Sequence, residues 1–133
     1  MKKILLLSAL AGSLLFAEGT LGQKAQMETM QKLEKDMSSL QKGFLYNSGD
    51  DIKKAIDNIK TTLKDVLKFD IKVESKDKEF NPKSYVANEV KAIDGLVTEV
   101  DKLYSEGKKD EALATYSKTL SRCMVCHKII RKW

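Results

Sequence analysis

Apolar residues recur along this chain at alternating three- and four-residue steps, and each such series stops at a cluster of turn-forming residues. Over about residues 23–44 the series is Met30, Leu33, Met37, Leu40 and Phe44. That spacing lines one face of a helix, because about 3.6 residues complete each turn. The stretch NSGDD follows with turn residues and a helix N-cap, and Ile52, Ile56, Ile59, Leu63, Val66 and Leu67 then repeat the pattern to an end near Phe69. The next segment, DIKVESKDKEFNP, is polar and without period, and it reads as the longest loop. Asn81 stands there as N-cap, with Pro82 at the first helical position, where a missing N–H costs nothing. Val86, Val90, Ile93, Val97, Val100 and Tyr104 mark a third helix, which Gly107 stops. From Lys109 onward, Leu113, Tyr116, Leu120, Met124 and Ile130 carry a fourth helix to the end of the chain. Four helices of roughly 20 to 25 residues with mostly short connections predict an all-α, antiparallel, up-down-up-down four-helix bundle.

Composition agrees and adds one boundary. A single proline and an abundance of Lys, Glu, Asp, Ala, Leu and Ile suit helices and leave strands poorly represented. The first residues fall outside the bundle pattern. Lys2 and Lys3 precede an unbroken apolar and small-residue run from Ile4 to Phe16, and Ala17 is a small residue suited to cleavage, so residues 1–17 read as a secretory signal peptide. That run is short of the ~20 residues that span a bilayer as a helix. No later run approaches that length, so no membrane span is expected, and no cysteine nearby would carry a lipid anchor. Residues 18–133 then form one domain with 22 basic and 19 acidic side chains. Charges of both signs alternate finely, as in QKLEKD and ESKDKE, which describes a solvated helix surface and speaks against nucleic-acid binding.

The chemistry is concentrated in RCMVCHKIIRKW, residues 122–133, which hold both cysteines and the one histidine of the chain. Cys123, Cys126 and His127 spell C-x-x-C-H, the attachment signature of a c-type haem. On a helix, positions i, i+3 and i+4 share a face. Both thiols can therefore add to the two vinyl groups of one porphyrin while the imidazole reaches the iron. Three other readings fit less well. A thioredoxin-like redox pair belongs at the start of a helix in a strand-containing fold. A structural zinc site needs four protein ligands, and the chain offers two cysteines and one histidine. A disulfide between Cys123 and Cys126 within a helix would be strained and would leave His127 unexplained.

The position of the motif on the last helix resembles the class II cytochromes c, the cytochrome c′ group and its low-spin relatives. Arg131 stands four residues after the histidine, Gly107 ends the third helix sixteen residues before the first cysteine, and QKGFLYNSGDDI resembles the K-G turn that closes the family's first helix. The chain also resembles the soluble periplasmic b-type cytochromes of the same architecture, through METM at residues 27–30 and through its last helix with His127 and Arg131. Two features depart from the family. The loop between the second and third helices is shorter than in many cytochromes c′, and Gln23 replaces an arginine often found one turn before the distal residue.

The motif and these resemblances imply one covalent haem c with His127 as one iron ligand. Arg131 and Arg122 could pair with the haem propionates, or else stand as solvated charges that complement the helix dipole. The opposite ligand separates an electron carrier from a gas binder. No second histidine exists, Met124 projects from the proximal helix, and Met37 sits deeper along the first helix. In an antiparallel bundle the start of the first helix faces the end of the last, which leaves Met27 and Met30. Counting back sixteen residues from Gly43, as in class II cytochromes, arrives at Met27, and so does the b-type resemblance. The expectation is a periplasmic one-electron carrier with His127/Met27 ligation, not an enzyme, docking briefly with other periplasmic redox proteins as a monomer or homodimer. The alternatives are Met30 as ligand, or a five-coordinate cytochrome c′-type protein that binds nitric oxide or carbon monoxide. Tyr116 and Trp133 are expected to pack against the bundle or the porphyrin.

Overall fold

The computed structural model describes residues 17–132, with side chains from residue 22; the expected signal peptide, save Ala17, and Trp133 lie outside them. The described residues form four helices and no strand: α1 (Ala17–Leu45), α2 (Gly49–Val66), α3 (Pro82–Ser105) and α4 (Lys109–Arg131). Their ends follow local chemistry. Ser48 caps α2, its hydroxyl accepting from the Asp51 N–H, and Asn81 caps α3 by accepting from Ser84 N–H at 2.9 Å, with Pro82 at the first helical position as expected. α1 and α3 close alike. Asn47 (φ 52°) and Gly107 (φ 78°) take the left-handed conformation. Ser48 N–H then reaches Gly43 C=O at 2.9 Å, and Lys108 N–H reaches Leu103 C=O at 2.9 Å, the Schellman pattern that satisfies a helix's last carbonyls.

Consecutive helices pack antiparallel. Between α2 and α3, Lys53 meets Asp101 and Lys60 meets Asp94; between α3 and α4, Glu89 meets Arg122. Between α1 and α2, Asp36 Oδ1 accepts from Asn58 Nδ2 at 3.4 Å, and Gly43 lies against Ile52. The core takes Met37 and Leu40 from α1, Ile52, Ile56, Ile59, Leu63 and Val66 from α2, and Val86, Val90, Ile93, Val97 and Val100 from α3. All belong to the expected stripes, and each aliphatic side chain buried there contributes about 1.5–3 kcal/mol.

The two ends of the bundle differ. At one end Asn47 Oδ1 accepts from Tyr104 hydroxyl at 2.9 Å and Lys109 Nζ at 2.6 Å, which ties the α1–α2 turn to the α3–α4 turn. Phe44 of α1 packs there between Tyr104 (centroids 5.8 Å apart) and Tyr116 (5.7 Å). Close backbone packing is concentrated between consecutive helices, α1 with α2, α2 with α3 and α3 with α4, and α1 meets α4 through side chains such as Phe44 against Tyr116. The fourth stripe is the expected one only in part: Tyr116 is buried and Ile130 packs on the core, but the rest differs. α4 buries Ala112, Thr115, Tyr116 and Thr119, whereas Leu113, Leu120 and Met124 are exposed. At about 100° per residue, those three lie roughly 100° around α4 from the buried face.

Candidate functional site

The buried face of α4 continues through Cys123, Cys126 and Ile130, each a three- or four-residue step from the last, and all three pack partly buried against the core. Its early positions are small or polar. Thr119 is fully buried and turns its hydroxyl onto its own helix, donating to Thr115 C=O at 2.9 Å. Beyond Tyr116, which packs on Phe44, a cavity opens between α1, α2, α3 and the last two turns of α4. Cys123, Cys126, His127, Ile130 and Arg131 form its α4 wall, and Met30, Leu33 and Met37 its α1 wall. Ile59, Leu63 and Val66 of α2 and Val86, Val90 and Ile93 of α3 close the back. The cavity encloses about 80 Å³ and is open to solvent at its mouth. That is less than the ~300–1,000 Å³ of cofactor sites, whose walls are likewise mostly apolar, so a cofactor-sized group would need the walls to part.

At the mouth, Gln26, Ile71, Ile130 and Arg131 are shared with an adjoining polar cleft that also holds Gln23, Asp70 and Lys72. The Arg131 guanidinium is exposed and makes no ion pair among the described residues. A group filling both spaces would put an apolar body among aliphatic side chains and polar ends beside a free cation.

The cysteines are separate thiols in the structure. Burial first, and then the negative charge of Glu89, push the Cys126 thiol up to about 11. Cys123 is also raised, chiefly by burial. Such thiols are poor nucleophiles at neutral pH, unlike those of a redox-active C-x-x-C pair, which are lowered. Burial, assisted by Arg131, lowers the affinity of His127 for a proton, which favours the neutral imidazole that binds metals. No group of three or more His, Cys, Asp or Glu side chains among the described residues could hold a metal ion, so a carboxylate- or thiolate-cluster metal site has no support. A macrocyclic iron needs only axial donors, and an imidazole, two thiols and a facing thioether around an apolar cavity fit a haem.

The structure brings Cys123, Cys126, His127 and Arg131 to one cavity, but it does not bring Met27 there. Met27 is 53% exposed and absent from the lining, and Met30, half-buried, takes the place expected for it. The cause is helical phase. Gln26, Met30, Leu33 and Met37 share one arc of α1, and Met27 falls roughly 90° from its centre. Sequence reasoning also passed over Glu89, which lies buried on the cavity wall. Its signal was a charged residue about 40° beyond the edge of the arc set by Val86, Val90 and Ile93.

No protein-family model, no curated protein and no solved structure matches this chain. Among the described residues, no helix is long and apolar enough to cross a membrane.

Proposed function

We propose that this chain is a c-type cytochrome of the class II kind, carrying one haem through Cys123 and Cys126 and serving as a one-electron carrier. The observation that carries the reading is the convergence of both thiols and His127 on one wall of an apolar cavity, with two methionines, half-buried Met30 and core-buried Met37, on the facing α1 wall. When bound, haem supplies a one-electron iron couple, and thioether ligation raises its potential relative to two imidazoles. The rest is done by the chain. The two cysteines fix the position of the group covalently, His127 and Met30 hold its iron from α4 and α1, and the aliphatic walls exclude water. Arg131 at the mouth holds a carboxylate end. The two residues that would hold the iron lie on α1 and α4, which face each other across the cavity, and a one-electron couple held there would serve partners that dock only briefly. The lysines near the N-terminus and the apolar run after them support export to the periplasm, where redox proteins are the natural partners.

Expression with a cytochrome c maturation system tests this. The purified protein is expected to carry the added mass of one covalent haem, lost on Cys123→Ala/Cys126→Ala, and to give a low-spin visible spectrum when oxidised. Met30→Ala converts that spectrum to high-spin, and Met27→Ala leaves it low-spin. The opposite result would restore Met27 as the ligand. A wild-type protein that is high-spin and shifts readily with carbon monoxide would replace the carrier with the gas-binding alternative.

A further inference from the structure

Glu89 of α3 is the one acidic side chain on the cavity wall, and it is 7% exposed. Its Oε1 accepts from Arg122 Nη1 at 3.1 Å, while its Oε2 is buried with no hydrogen-bond partner among the described residues. The pair is lopsided. About half of the Arg122 side chain stays in solvent, and the carboxylate lies inside. A contact that merely joined α3 to α4 would serve as well at the surface, where neither charge loses its hydration. Placing the negative partner against the cavity keeps its field inside, where screening is weakest.

We propose that Glu89 is a fixed negative charge aimed into the site, favouring the more positive, oxidised state of the group held there, and that Arg122 sets how much of that charge the site feels. This rests on the haem reading above. Uptake of one electron from a redox partner lowers the positive charge at the iron by one unit and breaks no bond, so the attraction to Glu89 is larger before the uptake than after it. The same two charges already act with opposite signs on a neighbour. The phenol of Tyr85, one turn earlier on α3, is raised by burial and by Glu89, and lowered by Arg122.

The experiment is an equilibrium redox titration, followed by visible absorbance, of the haem-loaded protein and of Glu89→Gln, Arg122→Gln, the double variant, and Asp110→Asn as an exposed control. Glu89→Gln is expected to raise the reduced-to-oxidised ratio at a given ambient potential about tenfold, which is ~59 mV for a one-electron couple. Arg122→Gln lowers the ratio by a smaller factor, and the double variant stays above the parent but below Glu89→Gln, because the half-solvated cation offsets the buried carboxylate only in part. Single variants that move the ratio in the same direction, or not at all, would overturn the proposal and leave the pair as a helix-joining contact. If Glu89→Gln loses its helical circular dichroism, Arg122→Gln alone decides, since its ratio must fall. A parent protein without covalent haem would sink the haem reading instead, an outcome that mass spectrometry separates from an unmoved potential.

Discussion

Cys126 shows how one side chain's surroundings set its chemistry. In a chain produced without haem, burial and Glu89 move its thiol from 9.0 to about 11, so at pH 8 its thiolate fraction is about a hundredfold below that of an open thiol. Iodoacetamide labelling of both cysteines is therefore expected to be slow in native buffer and at least about tenfold faster in denaturant. Equal rates would show that the thiols are not buried. Linkage gives a second consequence. A folded-state pKa above the unfolded one means that the native chain holds the proton longer. This contribution to stability is full below about pH 9 and is lost as pH rises toward 11, so haem-free protein should melt at lower temperature across that interval. At this scale the sequence showed which atoms react but not how strongly their surroundings alter them, because Glu89 lies 37 positions from Cys126 in the chain.

Most helix ends and three of the four buried stripes were legible in the sequence, because they depend on neighbours within a turn or two. α1 begins at Ala17 rather than near residue 23, and α2 ends at Val66 rather than near Phe69, which leaves Leu67 exposed. Asn81, Pro82 and Gly107 stand where capping chemistry puts them, and Ile52, Ile56, Ile59, Leu63 and Val66 are buried as their spacing requires. Gly43 adds a constraint between elements. A Cβ there would stand 2.6 Å from Ile52 Cγ1 and 3.0 Å from Ile52 N, so α1 and α2 approach closely only because the side chain is absent. Gly43→Ala should cost about 1–3 kcal/mol by thermal or denaturant unfolding, the usual range for overpacking. A neutral result would mean that the turn relaxes freely. α4 is the element whose face was misread. Of its expected series, Tyr116 and Ile130 pack, whereas Leu113, Leu120 and Met124 satisfy helical spacing but are exposed, and Ala112, Thr115, Thr119 and Cys123 complete the face that packs. Spacing alone cannot rank two faces of a helix when the packed one is small and polar.

Across the whole molecule, the bundle is tied at the end held by Asn47, Tyr104, Lys109, Phe44 and Tyr116, and toward the other the cavity forms an open seam between α1 and α4. The proposed haem would enter along that seam and leave the tied end in place. In haem-free protein, amide hydrogen exchange should therefore be fastest over residues 22–33 and 123–131 and slowest over residues 52–63, and covalent loading should protect the first two segments most. Uniform protection before loading would contradict the open seam. The sequence by itself determined the four helices, their caps and the grouping of Cys123, Cys126 and His127, because turn geometry and i, i+3, i+4 spacing are local. Only the tertiary structure decided that Met30 rather than Met27 faces them, that Glu89 turns its charge into the cavity, and that α4 leaves its leucines in solvent. Each of those depends on the rotation of one helix about its axis relative to the others, which is set by how all four pack and which no single stretch of sequence contains.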